Sequence, residues 1–536
     1  MIPLEWMPPL MFAGLVVFML IGFPVSFSLA AVGLFFGFIS INHGFFTFDF
    51  MQAIPGRIFG SILSNDLLLA IPFFTFMGAI LEKCGLAEDM LDSMGQLFGP
   101  IRGGLGYSVI IVGFVLGAIT GTVAAQVIAM ALITMPIMMR YKYDMKYATG
   151  VLAASGTITQ LVPPSLVLVV LADQLGRSVG DMYLGAWGPS LIQIALFAGY
   201  TFYLSIVHPE KVPPVPRTLH GRALIMKCMW GIIPAAVLIF LVLGTIMMGL
   251  ATPTEAGAMG AIGAIVLAVV RNTDLNRRDA TIFAAGLVGA TVGGVLSAMD
   301  IKNILFRVAF TVTFATIVWF CLLAWQHAEQ RRLIKLAFEA TMRITSMVAF
   351  IVVGATCFSV VFAGVDGNRW VEHLLTGLPG GVWGFLDVVN LFVFFLAFFL
   401  DFFEIAFIII PMLAPVAQKL LTPVVGADAA LIWFGVMLCV NMQTSFMHPP
   451  FGFALFYLRS VTPKEIPSSV IYWGAIPWVG LQLIMVGLVI AFPILVTGLL
   501  DAPSTVDPNK IKIEIQTPQQ ADEEPPPVIM PGQRTN

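Results

Sequence analysis

Long apolar stretches recur along almost the whole chain and are separated by short polar loops. A helix needs about 20 apolar residues to cross the hydrocarbon core of a bilayer, and most of these stretches reach about that length. The pattern predicts about a dozen membrane elements in an all-α polytopic membrane protein. The stretches occupy residues 8–40, 58–81, 105–139, 147–175, 181–207, 230–250, 255–270, 281–299, 306–325, 344–366, 384–418, 430–459 and 470–500.

The composition assigns this pattern to a membrane protein rather than to a large soluble domain. Of 536 residues, 59% are hydrophobic and only 11% are charged, and the mean hydropathy is +0.94. Such values lie outside the soluble range. The five cysteines are scattered without any CxxC spacing, so they indicate neither a disulfide framework nor a cysteine metal site. The net charge of −3 favours no class of partner.

Basic residues concentrate in four loops. Two predicted spans separate each loop from the next, so all four lie on one face, and the positive-inside rule makes that face cytoplasmic. By the same count of crossings, the polar segment 501–536, whose composition predicts a disordered tail, should lie outside. The loops contain Arg140, Lys142 and Lys146; Lys211, Arg217, Arg222 and Lys227; Arg271, Arg277 and Arg278; and Arg331, Arg332, Lys335 and Arg343.

Two apolar segments have the wrong length for simple spans. As one helix, residues 105–139 would extend about 50 Å at 1.5 Å per residue, yet they are too few for two crossings and a turn. We therefore predict a re-entrant hairpin of two half-helices with residues 120–122 at its midpoint. Residues 384–418 have the same length, and their midpoint is Asp401. Non-helical backbone at membrane depth is tolerated only inside protein or beside a cavity.

Each half of the chain also contains a proline pair inside an apolar segment, at 163–164 within 147–175 and at 449–450 within 430–459. Proline removes a backbone donor and clashes with the preceding turn, so each pair should break its helix. A shift of 286 residues superposes the two pairs, and the hairpin midpoints are offset by about 280. A hairpin followed by a broken helix thus occurs twice. The odd number of crossings between the two copies inverts the second.

A duplicated, inverted unit with interrupted helices is typical of secondary transporters, where half-helix amide ends face anions and unwound carbonyls bind cations. We predict an inverted-repeat ion-transporter fold of the elevator type, in which the hairpins and broken helices move as one body. The predicted divisions are N-terminal scaffold spans (1–104), transport repeat 1 (105–180), scaffold spans (181–343) with an inserted pair (281–325), a scaffold arm (344–383), transport repeat 2 (384–460) and a last span (470–500).

Six motifs, in order along the chain, carry a family resemblance. They are AITGTVAAQVIAMALITMP, ASGTITQLVPPS, SVGDMYLGAWGP, ATPTEAGA, FFLDFFEIAFIIIPMLAPV and HPPFGFALF. Over roughly residues 1–275 and 340–500 the chain resembles the large membrane subunit of tripartite ATP-independent periplasmic (TRAP) transporters. The resemblance implies uptake of an organic acid across the bacterial inner membrane, usually with sodium, by elevator motion. It also implies a small membrane subunit and a periplasmic solute-binding protein as partners, with no cofactor beyond the coupling ion and no nucleic acid.

The chain departs from the family pattern at three places. The family's first hairpin commonly reads Ser-Gly-Ser followed by an acidic residue, whereas this chain has Thr-Gly-Thr at 120–122 and Gln126 in the acidic position. The second proline pair is usually preceded by Thr, here by His448. The segments at 281–325 resemble an insertion, with small residues at Gly289 and Gly293 suited to helix packing. These departures bear on ion stoichiometry and substrate choice.

Small hard cations prefer oxygen ligands, and carbonyls with Ser, Thr, Asn and Gln side chains supply them at little charge cost. We predict one sodium site between the first hairpin tip and the first break, and another between the second tip and the second break. A substrate carboxylate would lie between the tips, held by half-helix amide ends. The predicted sodium ligands are Thr120, Gly121, Thr122, Ser155, Thr157, Thr159, Pro163, Asp401, Asn441, Gln443, Thr444 and Ser445, and the predicted substrate-binding residues are Thr120, Gly121, Pro164, Ser165, Asp401, His448 and Pro450.

Each candidate also has a purely structural interpretation. Residues 120–122 could merely turn the hairpin and cap its second helix. Asp401 with Glu404 has the form of a capping box, although an acid inside a membrane is a functional candidate by default. Residues 252–255 have the pattern of a helix start. His448 could bond to backbone or sense protons.

Other functions remain open alternatives. A passive channel would not need broken helices in inverted pairs, and a stand-alone sodium/carboxylate symporter would need no binding protein. The sequence GRSVG at 176–180 fits the G-x-S-x-G pattern of hydrolases, but that motif requires a strand-to-helix elbow with His and acid partners. No HExxH and no GxxxxGK[ST] occurs, which excludes a zincin protease and a P-loop pump.

Overall fold

A computed structural model describes residues 3–120, 122–273, 276–298, 304–398, 400–448 and 452–500. Throughout these ranges the regular structure is helical, without strands. Ten of the described helices are long and apolar enough to cross a membrane, or up to 12 spans if two bent pairs each count as one. The prediction of an all-α polytopic membrane protein is therefore confirmed. The predicted tail at 501–536 lies outside the described residues.

The helices divide between the two halves of the chain. The first half contains Met7–Ile21, Val25–Asn42, Phe48–Met51, Ala53–Ile58, Ala70–Lys83, Leu86–Phe98, Gly104–Thr120, Val123–Arg140, Met145–Thr157, Leu166–Leu175 and Val179–Val207. The second half contains Gly221–Met247, Pro253–Asn272, Arg277–Ala298, Ile304–Gln326, Ala328–Gly364, Gly367–Thr376, Gly381–Leu396, Phe402–Glu404, Ile410–Val425, Ala427–Met442, Phe453–Val461, Ser468–Ala491 and Ile494–Thr497.

The two segments of unusual length each form two helical arms. Hairpin 1 consists of Gly104–Thr120 and Val123–Arg140. Hairpin 2 consists of Gly381–Leu396 and Phe402–Val425, the latter with a π-helical turn near its start. A first arm of 17 or 16 residues is about 25 Å long, which is less than the roughly 30 Å of a bilayer core. The hairpin tips can therefore remain inside the membrane.

The two proline segments each form a pair of short helices around a break. Broken helix 1 consists of Met145–Thr157 and Leu166–Leu175, and broken helix 2 consists of Ala427–Met442 and Phe453–Val461. We call residues 158–165 break 1 and residues 443–452 break 2, of which 449–451 lie outside the described residues. Residues 147–172 and 430–448 are buried without exception. Neither broken helix therefore turns an apolar stripe toward lipid along these stretches.

The two hairpins open toward opposite faces of the molecule. The base of hairpin 1 adjoins the start of broken helix 1 at Met145. At the other end of that helix, the Arg177 guanidinium donates to Gln418 Oε1 at 2.9 Å and to the Ala427 carbonyl at 3.0 Å. These acceptors belong to the base of hairpin 2 and the start of broken helix 2. Since broken helix 1 separates the two bases, the second copy is inverted relative to the first.

Each hairpin is preceded by a short helix. Arm helix 1 is Leu86–Phe98 and arm helix 2 is Gly367–Thr376. Each follows a left-handed residue, Gly85 at φ +81° and Asp366 at φ +59°. These two residues are 281 residues apart, close to the offset of the hairpins. The matched turns show that the arm helices belong to the duplicated unit.

Each broken helix is followed by a span that also belongs to the repeat. Closing span 1 is Val179–Val207 and closing span 2 is Ser468–Ala491. Closing span 2 packs on broken helix 1, and closing span 1 packs on broken helix 2. A Cβ on Gly185 would lie 3.0 Å from Ile432 Cγ2, and one on Gly474 would overlap the Lys146 carbonyl. Because the 286-residue shift relates Lys146 to Ile432, the two halves cross over in the same register.

Outer helices of one half also pack against outer helices of the other half. Val25–Asn42 packs along Ala328–Gly364, and Pro253–Asn272 packs along Ala70–Lys83. The two helices Ala70–Lys83 and Ala328–Gly364 also contact each other. Each half therefore buries part of its apolar surface against the other half.

The four basic loops lie on one face, as predicted, because contacts link them in sequence. Arm helix 1 has a strongly amphipathic sequence, and its acidic side chains pair with the second and third basic loops. The contacts are Asp144 N–H to the Lys211 carbonyl (2.9 Å), Lys227 with Asp92, Arg271 with Asp89 (2.6 Å), and Gln330 Nε2 to the Ala268 carbonyl (3.4 Å).

The inserted helices Arg277–Ala298 and Ile304–Gln326 pack mainly on each other, with further contacts to Pro253–Asn272 and Ala328–Gly364. The predicted small-residue face forms their interface, since a Cβ on Gly289 would lie 2.8 Å from Thr313 Oγ1. Small residues let helix backbones approach closely in membranes.

Hairpin 1 packs on break 1 through a glycine pair. Gly113 and Gly117 are four residues apart, the spacing of close helix packing. A Cβ on Gly113 would lie 2.7 Å from Ser155 Cβ, and one on Gly117 would lie 3.0 Å from Thr159 Cα. Only glycine permits this approach without displacing the break.

We expect Gly113→Ala to destabilise the protein by about 1–3 kcal/mol, because the new methyl group overpacks a rigid contact. Gly199→Ala is the matched control, since nothing lies within 4 Å of a Cβ at Gly199 in closing span 1. Alanine there should be neutral or stabilising by up to about 1 kcal/mol through helix propensity. Thermal unfolding of both purified variants checks this, and equal midpoints would contradict the packing argument.

Candidate functional site

The two breaks meet at the centre of the bundle. The Sδ atom of Met447 in break 2 lies 3.7 Å from the Thr157 hydroxyl, at the edge of break 1. The Cys439 thiol of broken helix 2 lies 3.3 Å from the Gln160 carbonyl. The two interruptions therefore share one buried region, as the sequence analysis required. Pro449 and Pro450 themselves lie outside the described residues.

Gln126 fastens the second arm of hairpin 1 to the region of break 1. Its Nε2 donates to the Gly113 carbonyl at 2.6 Å and to the Ser155 carbonyl at 3.0 Å. Its Oε1 accepts from the Thr159 hydroxyl. One side chain thus joins both hairpin arms to the broken helix. The amide nitrogen occupies a position between two carbonyls, where a carboxylate could not donate.

Two predicted ligands, Ser155 and Thr157, line break 1 with different environments. The Ser155 hydroxyl is buried and makes no hydrogen bond to any described residue. The Thr157 hydroxyl donates to the Ala154 carbonyl at 2.9 Å and accepts from Gln482 Nε2 at 3.0 Å. Closing span 2 therefore reaches the edge of break 1 through Gln482.

Ser165 has a clear structural role at the end of break 1. Its hydroxyl donates to the Gln160 carbonyl and accepts from the Val167 N–H at 3.1 Å, which caps the second half of broken helix 1. Part of the carbonyl surface freed by the break is therefore already paired within the protein. Pro163 and Pro164 are buried, and the peptide bond between them is cis.

Break 2 is lined by the residues that the 286-residue shift relates to break 1. Asn441 Nδ2 donates to the carbonyl of Asn390 at 2.8 Å and lies 3.0 Å from its Oδ1, so this side chain contacts the first arm of hairpin 2. The Thr444 and Ser445 hydroxyls each donate to a backbone carbonyl three residues earlier at 2.7 Å. Neither amide atom of Gln443 bonds to a described residue.

His448 lies between aromatic rings at the end of break 2. Its ring stacks on Phe398 at a centroid distance of 4.1 Å and meets the edge of Phe394 at 4.4 Å. Both phenylalanines belong to the first arm and tip of hairpin 2, and His448 is only 2% exposed. This residue therefore packs hairpin 2 against break 2, whatever its part in substrate binding.

The hairpin tips differ in how their second arms begin. Asp401 and Glu404 form a complete capping box, with the Glu404 N–H donating to Asp401 Oδ1 at 2.9 Å and the Asp401 N–H donating to Glu404 Oε2 at 3.0 Å. Thr122, at the corresponding position of hairpin 1, makes no side-chain cap bond. Gly121 and the Thr120 side chain lie outside the described residues. A capping box also starts the helix at Thr252.

Unpaired polar atoms cluster around the two breaks. Burying an amide or hydroxyl without a hydrogen bond costs free energy, so each such group in a native protein needs an explanation. No group of three or more His, Cys, Asp or Glu side chains suited to a metal occurs in the described part of the chain. At the breaks themselves, the oxygens available to a cation are neutral. The atoms are Ser155 Oγ, both amide atoms of Gln160 and of Gln443, Asn441 Oδ1 and Gln482 Oε1.

Three residues at this centre were missed as ligands or positioning groups: Gln126, Asn390 and Gln482. Each is a single amide in an apolar helix. Such isolated polar residues inside membrane helices are a usable sequence signal. Their partners could not be inferred, because they belong to segments distant in sequence.

Comparison with known proteins agrees with this geometry. Residues 12–495 match the family model described as tripartite ATP-independent periplasmic transporter, DctM component. The chain belongs to this family. It is 26% identical to the C4-dicarboxylate TRAP transporter large permease protein DctM of Pseudomonas aeruginosa, covering 84% of this chain and 89% of the relative. It is 25% identical to the sialic acid TRAP transporter large permease protein SiaM of Vibrio cholerae, covering 88% of this chain and 93% of that relative.

As a TRAP large permease, the chain is a multi-pass protein of the bacterial inner membrane and a transport protein. The hydrolase alternative has no structural support. Gly176 ends broken helix 1 in a left-handed conformation, and Ser178 caps closing span 1 by accepting from the Asp181 N–H. Residues 176–180 therefore form a helix-to-helix turn rather than a nucleophile elbow.

We expect Gln126→Leu to destabilise this TRAP permease by several kcal/mol, because the Gly113 and Ser155 carbonyls would lose a buried donor at about 1–3 kcal/mol each. Gln52→Leu is the control, since Gln52 is exposed and bonds only Asp49. Detergent-solubilised variants can be compared by thermal unfolding. If the unfolding temperature of Gln126→Leu equalled that of Gln52→Leu, the hydrogen bonds of Gln126 would not stabilise the protein.

Proposed function

We propose that this chain is the large membrane subunit of a sodium-driven importer of an organic acid, which receives its substrate from a periplasmic solute-binding protein. The observation that carries the proposal is the contact between Thr157, the last helical residue before break 1, and Met447 of break 2. Breaks of this kind supply carbonyls for cations and amide ends for anions in secondary transporters.

Two sodium sites are proposed, one at each break. The first uses the tip of hairpin 1 (residues 120–122) with Ser155, Thr157, Thr159 and the Pro163 region. The second uses the tip of hairpin 2 at Asp401 with Asn441, Gln443, Thr444 and Ser445. Support comes from the burial of the break residues, none of which is more than 5% exposed among those with hydroxyl or amide groups. Neutral oxygens bind a small hard cation without burying a second charge.

The substrate carboxylate is proposed to lie between the hairpin tips. The amino ends of the second arm of hairpin 1 and of the second half of broken helix 1 are proposed to face it, since helix amino ends attract anions. The candidate residues are Thr120, Gly121, Pro164, Ser165, Asp401, His448 and Pro450. Among them, the hydroxyl of Ser165 is already committed to capping. We therefore expect its backbone, rather than its hydroxyl, to face the substrate.

An elevator motion is proposed for the hairpins and broken helices. Hydrogen bonds and glycine contacts join hairpin 1 to broken helix 1. By contrast, Ala118 and Pro164 face Met77 and Leu238 of the outer helices across a narrow apolar gap. An apolar seam can slide with less loss of hydrogen bonding than a hydrogen-bonded contact.

We propose the substrate class from the names of related permeases. Those named above are permeases for C4-dicarboxylates and sialic acid, and a third, from Escherichia coli, is named for 2,3-diketo-L-gulonate. All three names denote carboxylates. Partnership with a small membrane subunit and a binding protein is proposed from the family description as a periplasmic, tripartite transporter.

We expect Thr157→Ala and Ser445→Ala each to raise the sodium concentration for half-maximal uptake by about tenfold, since each removes a buried oxygen worth roughly 1.4 kcal/mol. Thr356→Ala is the control, because its hydroxyl bonds the Val352 carbonyl at 2.8 Å in the outer helix Ala328–Gly364. Uptake into proteoliposomes at varied sodium gives the measurement. Unchanged sodium dependence in both site variants would show that these ligands are misassigned.

The requirement for a binding protein separates the proposal from a stand-alone symporter. The large and small subunits would be reconstituted together, with the binding protein and radiolabelled candidate carboxylates added outside. We expect uptake only when the binding protein is present. Uptake at the same rate without it would favour the stand-alone symporter, and ohmic conductance in planar bilayers would favour a channel.

A further inference from the structure

The two closing spans carry one buried glutamine each at the same place. Closing span 1 contains YLGAWGPSLIQ at 183–193, and closing span 2 contains YWGAIPWVGLQ at 472–482. Tyr, Gly, Ala and Gln coincide under a shift of 289 residues. Gln193 and Gln482 are both 0% exposed. A long polar side chain fully buried in a membrane helix is costly and is retained for a reason.

The hydrogen bonds of Gln482 fix the direction of its amide. Its Nε2 donates to the Thr157 hydroxyl at 3.0 Å and lies 3.7 Å from Met447 Sδ. The oxygen Oε1 then points away and bonds to no described residue. An oriented amide oxygen beside break 1 is a ligand of the type that alkali cations take.

The register of the two closing spans relates Gln193 and break 2 to Gln482 and break 1. Closing span 2 contacts Lys146 through Gly474, and closing span 1 contacts Ile432 through Gly185. Gln482 lies eight residues after Gly474, and Thr157 lies eleven residues after Lys146. In the other half, Gln193 lies eight residues after Gly185, and Gln443 lies eleven residues after Ile432.

Gln193 and Gln443 share a second property. None of their amide atoms bonds to a described residue, and both side chains are fully buried. Each unpaired buried amide needs an explanation. A cation bound by both Oε1 atoms would give these two oxygens a partner without adding a buried carboxylate.

We propose that Gln482 is a cation ligand at break 1 and that Gln193 is its counterpart at break 2. Each cation site is then completed by the opposite half of the chain. This inference rests on the proposed sodium coupling and adds to it two ligands that lie outside the hairpins and broken helices.

Sodium binding can be measured without knowing the transported acid. Purified permease, with its small subunit where the two copurify, would be heated at increasing sodium chloride, with choline chloride keeping the ionic strength constant. A ligand that binds only the folded state raises its stability. The sodium concentration for half-maximal stabilisation then reports affinity for the ion alone.

We expect Gln482→Met and Gln193→Met each to raise that concentration by about tenfold, because methionine keeps the length of the side chain but lacks the oxygen. Gln482→Glu should hold it at or below the wild-type value, since the oxygen is kept and a charge is gained. Gln330→Met is the matched control, a buried glutamine of the outer helix Ala328–Gly364 that bonds the Ala268 carbonyl.

The outcomes separate this inference from the proposed function. A sodium-dependent wild type with unchanged Met variants would overturn the role of the two glutamines and leave the sodium coupling standing. An equal loss in Gln330→Met would reduce the effect to packing and overturn the inference as well. A wild type with no sodium response would remove the proposed coupling itself.

Discussion

The structure depends on one constraint: peptide groups freed inside a membrane find no water. Every break in a helix must therefore lie inside protein, with partners for its carbonyls and amides. The surroundings of break 1 meet this requirement. Glycines bring hairpin 1 close to it, Gln126 supplies donors to adjacent carbonyls, and Ser165 and Ser190 donate to the carbonyls of Gln160 and Leu161. The uninterrupted burial of residues 147–172 follows from this.

The same constraint explains why the halves cross over. A broken helix needs protein on all sides, and its own hairpin covers only part of it. The closing span of the opposite half covers another part, so Gly474 packs on Lys146 while Gly185 packs on Ile432. In an inverted repeat, the closing span of each half can pack on the broken helix of the other half in the same way. Separate domains for the two halves would expose each break to lipid.

The sequence predicted what depends on local chemistry. Proline pairs mark the breaks, segment length marks the hairpins, and Asp401 with Glu404 marks a helix start. It predicted an arm at 344–383 but not its match to arm helix 1, because Gly85 and Asp366 share a backbone conformation rather than a residue type. Nor did it predict the hydrogen bonds that Gln126 donates, because their acceptors are backbone carbonyls. Contacts between distant segments depend on tertiary packing, which one sequence does not reveal.

The cost of burying charge in a membrane connects the composition of the site to the proposed coupling of sodium and acid. A full charge at the bilayer centre costs about 3 kcal/mol even on insertion scales. Neither break contains Asp or Glu, and the two carboxylates at the second tip accept from backbone N–H groups of the cap. Under the proposed function, sodium and a carboxylate carry opposite charges, so the core with the acid and both sodium ions carries less net charge than the core with the two ions alone. A neutral oxygen site thus gives ion and acid a physical reason to cross together.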